Sequence, residues 1–131
     1  MADKLKLDLE IDKGQTFRKG FLCTQGGVPI ADPTGYIFRI QSRVSKTLGA
    51  TLVLNLSTED PEDMDEPAIP EDAVLVWDDD SSGQVNMILS RDQTRALPEG
   101  KTPWEGELTT PDDESDVLVY GTLRVTLGVI Q

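Results

Sequence analysis

Apolar residues recur at every second position through most of this chain, and few folds accept that period. Leu5, Leu7, Leu9 and Ile11 lie on one side of a line whose other side carries Lys4, Lys6, Asp8, Glu10 and Asp12. Successive side chains of an extended backbone point to opposite faces, so this segment reads as a strand with one dry face and one wet face. The alternation returns at Phe17, Phe21 and Cys23, at Tyr36, Phe38 and Ile40, and at Leu52, Leu54 and Leu56. It continues over 73–77, 84–89 and 104–108, then through Val117, Val119, Leu123, Val125, Leu127 and Val129. Gly14, Gly26-Gly27, Gly35, Gly49 and Ser82-Gly83 punctuate the segments, as turn chemistry requires. About eight short strands so separated predict an all-β fold, an antiparallel β-sandwich. The exception is Ser90 with Gln93 three residues later, a capping box that predicts a short helix near 91–97, ended by Pro98 and Gly100.

The 131 residues suit a single domain spanning 1–131. Within it, 59–72 carries Pro61, Pro67 and Pro70 with eight acids and no base. Proline donates no ladder hydrogen bond, so this stretch is expected to be a long acidic loop. Two further acidic turns follow at 78–80 and 112–116. Up-and-down strand order puts those two at one end of the sandwich and 59–72 at the other. The formal net charge is −12, and such a surface is a poor match for nucleic acid, which needs clustered Lys and Arg. The N-terminus lacks a signal-peptide core, and no window approaches the ~18 apolar residues of a membrane span. Synthesis in a cytoplasm, without a membrane partner, is the expectation, and Asn55-Leu56-Ser57 is then a chance glycosylation sequon.

Histidine is absent and Cys23 is the single cysteine. That removes the histidine-dependent nucleophilic machineries, disulfide frameworks and cysteine-rich metal sites. Cys23 alternates with Phe21 and reads as a small buried hydrophobe. Asp78, Asp80 and Ser82, followed by Gly83, imitate the first half of a calcium loop. The bidentate carboxylate such a loop needs at its twelfth position is here Leu89, a core position, so an acidic hairpin turn is the better account. Glu105 and Glu107 share a strand face, and glycoside hydrolysis needs such a carboxylate pair at a fixed separation, but no apolar cleft is conspicuous around them, and no enzyme and no cofactor is expected. Trp77 and Trp104 could make a carbohydrate platform, yet both lie on alternating strands and read first as packing residues.

Several segments carry a resemblance. Lys13-Gly14-Gln15-Thr16-Phe17 opens a strand, and Gly27-Val28-Pro29-Ile30 leads to Asp32-Pro33-Thr34-Gly35-Tyr36. Leu89-Ser90, Gln93-Thr94 and Leu97-Pro98-Glu99-Gly100-Lys101 follow, then Trp104-Glu105-Gly106-Glu107-Leu108-Thr109-Thr110-Pro111-Asp112 and Gly121-Thr122-Leu123-Arg124-Val125. In order and spacing, from about residue 8 to 127, this resembles small β-sandwich structural proteins of tailed bacteriophages, including the N-terminal domain of baseplate upper-protein type. The resemblance implies an immunoglobulin-like sandwich and a non-enzymatic virion protein that docks on tail, baseplate or fibre components. Its partners would be other virion structural proteins, with the chain oligomeric within the assembly. Two features depart from the group: the acidic 59–72 stretch, and an end at Gln131 where a fibre-bearing anchor should continue. They bring capsid decoration into contention, with a soluble carbohydrate- or calcium-binding module further off. The candidate interface residues are Tyr36, Trp77 and Trp104, if exposed, together with Glu62, Asp63, Asp65 and Glu66.

Overall fold

The computed structural model describes residues 4–47, 49–80 and 82–127; Ser81 and Val129 lie outside them. The fold is all-β. Among the described residues there is one short α-helix, and eleven strands form, rather than about eight. They are β1 (Leu5–Lys6), β2 (Leu9–Asp12), β3 (Phe17–Leu22), β4 (Thr24–Gln25), β5 (Val28–Pro29) and β6 (Ile37–Arg43). After these come β7 (Leu52–Ser57), β8 (Val74–Trp77), β9 (Gln84–Leu89), β10 (Gly100–Thr109) and β11 (Ser115–Thr126). The excess has two causes: Gly26-Gly27, both at positive φ, fold β4 and β5 into a small hairpin, and the first strand is broken at Leu7-Asp8.

A six-stranded sheet runs in the order β1-β11-β10-β6-β7, with β2 also paired to β11. A three-stranded sheet runs β3-β9-β8. Their inward faces share one core. Phe21 of the smaller sheet stands 5.8 Å, centroid to centroid, from both Phe38 and Trp104 of the larger. Ile11, Ile40, Leu54, Val85, Met87, Leu89 and Leu123 around them are all fully buried. Alternation thus chose the inward set correctly on β6, β9, β10 and most of β11, where burial follows period two.

The N-terminal strands depart from the antiparallel expectation, since β1 and β2 lie parallel to β11 at a single register, Leu5 on Val119 and Leu9 on Leu123. Between them the Leu7 N–H still bonds the Tyr120 carbonyl at 2.8 Å, and the chain leaves the ladder from the Leu7 carbonyl onward. Trp104 Nε1 donates to the Leu7 carbonyl at 2.9 Å, and the Thr122 N–H donates to Asp8 Oδ1 at 3.0 Å. Gly121 permits this approach, because a Cβ there would lie 2.0 Å from the Leu7 oxygen. Leu9 and Ile11 reach the core, whereas Leu5, at the sheet edge beyond the break, is 64% exposed. Leu127, just past β11, is exposed too.

Helix α1 (Arg91–Ala96) carries the capping box: Ser90 Oγ accepts from the Gln93 N–H and Gln93 Oε1 from the Ser90 N–H. Thr94, fully buried, accepts the Gly14 N–H at 3.0 Å and donates to the Gln15 carbonyl at 2.9 Å, tying the helix to the turn before β3.

The acidic stretch is placed differently from the expectation. Register sets Thr109 beside Ile37 and Arg39 beside Ser57, so the chain leaves β7 at the same end as the 110–114 turn. After a single 3-10 turn at Pro61–Asp63 it doubles back along β7, and Ile69 exchanges two backbone hydrogen bonds with Asn55, each 2.9 Å. The 78–83 turn belongs to that end as well. The Cys23 N–H donates to the Gly83 carbonyl, Tyr36 Oη donates to Gln25 Oε1, and Gly35 lies against Pro111. All three acidic turns therefore gather at one end; sequential alternation could not foresee a loop that returns along its own strand.

Candidate functional site

A groove of about 760 Å³ lies on the outward face of the larger sheet. Its floor is set by alternation: Arg39, Gln41 and Arg43 project from β6, Glu105 and Glu107 from β10. Ser45, Lys46, Thr47, Gly49 and Glu66 form its walls. Register places Arg39 directly across from Glu107, and the pair closes to 2.8 Å, half-exposed. Gln41 lies opposite Glu105 and donates to Asn55 Oδ1 at 3.0 Å. Arg43 donates to the Ala50 carbonyl at 2.7 Å and reaches Glu66 at 3.8 Å. Such partly exposed pairs fix side-chain directions more than they stabilise the fold.

Asn55 holds the groove's wall. It is 2% exposed although it points away from the core. Its Nδ2 donates to the carbonyls of Glu66 and Pro67 at 3.2 and 3.0 Å. With the Ile69 bridge, these bonds clamp the returning segment onto β7 and cover what would otherwise be a bare sheet edge. Reading 51–57 by alternation alone makes Asn55 a surface residue; nothing local in the sequence shows that another segment covers it.

Among the interface candidates, Trp104 presents no surface: it is 1% exposed, its ring against Phe21 and its N–H on Leu7. Trp77 is half-buried against the core. Tyr36 is half-buried also, with its hydroxyl on Gln25. Glu62, Asp63, Asp65 and Glu66 are exposed, and among the described residues only Glu66 of the four faces a cation. The structure brings Glu66 to the groove and leaves Glu62 and Asp63 on the 3-10 turn at the acidic end.

In the calcium-like turn, the Asp78 carboxylate is engaged locally. Its Oδ1 accepts the Asp80 N–H at 2.8 Å and its Oδ2 accepts from Asn86 Nδ2 at 3.2 Å. Asp80 and Ser82 are exposed on the same turn. This is the turn chemistry of an Asx motif, and among the described residues no group of three acids, cysteines or histidines is arranged to hold a metal. The Cys23 thiol is fully buried, and desolvation pushes its pKa up from 9.0 to about 12. Asp32 is held below the usual carboxylate range by the Thr34 hydroxyl at 2.7 Å and the Thr34 N–H at 3.1 Å. No helix among the described residues is long and apolar enough to cross a membrane.

No protein-family model matches the chain, and no curated protein matches it.

Proposed function

We propose that this chain is a non-enzymatic structural protein of a tailed-bacteriophage virion, an immunoglobulin-like sandwich that docks on tail, baseplate or fibre components. The observation that carries the reading is the distribution of charge. Residues 24–36, 58–63, 78–83 and 110–116 hold twelve acids and no base, and they gather at one end. The remaining twelve acids are matched by the chain's twelve bases. The whole net charge therefore lies in these four segments, and the rest of the chain is neutral in sum. A domain so polarised suits end-on docking against a basic neighbour, where complementary charge sets orientation and encounter rate more than affinity. The ordered segments from Lys13-Gly14-Gln15-Thr16-Phe17 to Gly121-Thr122-Leu123-Arg124-Val125 add the family resemblance.

In this reading the partners are other virion proteins, the chain is one of several copies in the assembly, and its location is the particle after synthesis in the host cytoplasm. Mass spectrometry of purified particles, followed by cryo-imaging of particles carrying a tagged copy, tests it. Stoichiometric presence with density on the tail or baseplate is the expected result. Density over the capsid lattice would assign it to decoration instead, and absence from purified particles would overturn the virion reading.

A further inference from the structure

We propose that the groove on the larger sheet binds a neutral oligosaccharide, with Gln41, Glu105 and Tyr120 as the residues that recognise it. The inference is independent of the virion reading. Three properties of the groove point to this ligand class.

Charge comes first. Arg39, Arg43 and Lys46 line the groove together with Glu66, Glu105 and Glu107, so its lining sums to zero. Arg39 is already closed on Glu107 and Arg43 faces Glu66. An ionic ligand would have to compete with a pair already made, and a neutral one does not.

Hydrogen bonding is the second property. Planar guanidinium, amide and carboxylate groups stand in register on neighbouring strands, alternating donors with acceptors. A sugar hydroxyl donates and accepts at once and fits such an array. A peptide fits it poorly: β6 lies between β10 and β7, and β10 between β11 and β6. Their ladders are occupied on both sides, so no backbone edge in the groove can take an added strand.

Shape is the third. About 760 Å³ falls within the usual range of small-molecule sites. Beside the groove, Tyr120 of β11 lies directly across from Glu105 and is 37% exposed on the same outward face. Its ring offers an apolar surface to the C–H face of a sugar, while Glu105 and Gln41, next in the same row, meet the hydroxyls. The sheet holds all three at fixed spacing, so little ordering is needed on binding.

The test is a ¹H–¹⁵N NMR titration of the full chain with maltotriose, cellotriose and chitotriose, each raised to ~10 mM, a range that reveals the millimolar affinities common for single glycan sites. Saturable shifts confined to the amides of β6, β10 and the Tyr120 region are expected with at least one sugar. Glu105→Ala and Tyr120→Ala should each weaken that binding about tenfold or more, with the remaining amide spectrum unchanged as the control for folding; Gln41→Ala should weaken it likewise, with further shifts confined to the neighbourhood of Asn55, whose Oδ1 loses that donor. Should Tyr120→Ala disturb the spectrum, Tyr120→Leu retains bulk and removes the ring. No saturable shift with any of the three sugars, or binding that survives all the variants, would overturn the proposal.

Discussion

Asn55 shows how much a single buried polar side chain can organise. It sits on a strand position that alternation assigns to solvent, yet it is 2% exposed, because 66–69 folds back over it. Asn55→Ala orphans the Glu66 and Pro67 carbonyls and the Gln41 amide. At ~1–3 kcal/mol for each desolvated group left without a partner, and with water reaching part of the gap, the loss should be about 2–4 kcal/mol. Leu54→Ala, which opens a cavity in the core, should cost a comparable ~2–5 kcal/mol, while Thr51→Ala, at an exposed position, should cost under ~0.5 kcal/mol. Denaturant unfolding of the three variants checks the order; an Asn55→Ala protein as stable as Thr51→Ala would mean the clamp contributes nothing. Cys23 was legible from its alternation with Phe21, and it carries a second expectation. A thiol with a pKa near 12 holds almost no thiolate at pH 8, so alkylation by iodoacetamide should be slow in the native protein and fast in denaturant. The sign for stability follows. Because the folded pKa lies above the unfolded one, burial of the neutral thiol contributes fully below pH 9.0 and is lost progressively as pH rises from there towards 12. Unfolding curves of wild type and Cys23→Ala should diverge less at pH 10.5 than at pH 8.

Individual elements were readable where burial follows one period, and obscure where two segments share a place. The helix was visible because Ser90 and Gln93 cap it through local bonds. The strands at β6, β9 and β10 were visible because one of their faces meets the core. Neither the parallel pairing of the N-terminal strand nor its break at Leu7-Asp8 has a local signal. Both depend on Gly121 and Trp104, more than ninety residues further along. Gly121 is therefore predicted to be intolerant of substitution. Its backbone lies within reach of the Leu7 carbonyl, and a Cβ would meet that oxygen at 2.0 Å. Gly121→Ala must push the N-terminal segment off β11, break the Trp104 Nε1 bond and expose Leu9 and Ile11. The expected outcome is ~2–4 kcal/mol of destabilisation, in the range for a displaced core contact. Hydrogen-exchange protection should fall first at 5–12. Protection there equal to wild type would mean that the strand is held without this close approach.

At the scale of the whole molecule, the charge is divided between a neutral body and an end with twelve acids and no base. Composition alone showed the acidic runs; their convergence depends on the 59–72 segment leaving β7 beside the 110–114 turn, which strand counting misplaced. Like charges so gathered repel in the folded state, and salt screens them over a Debye length of ~10 Å at 0.1 M and ~3 Å at 1 M. The isolated protein should therefore melt a few degrees higher at ~0.5 M than at ~0.02 M NaCl. Neutralising Glu62, Asp63 and Asp65 should flatten that dependence, since the three are exposed and make no ion pair among the described residues. Glu66 is left out of that variant because its carboxylate faces Arg43 and its carbonyl accepts from Asn55. The same variant separates two roles for the acidic end. If a basic neighbour meets it in an assembly, the neutralised protein should fold with an equal or higher melting temperature, yet enter particles less efficiently. Wild-type association should also weaken as salt rises, the opposite trend to its intrinsic stability. If the acids serve only to keep the end solvated, incorporation of wild type and variant should be equal at every salt concentration. The opposed salt responses make the experiment decisive: one acidic end is relieved by screening when alone and deprived of its attraction when docked.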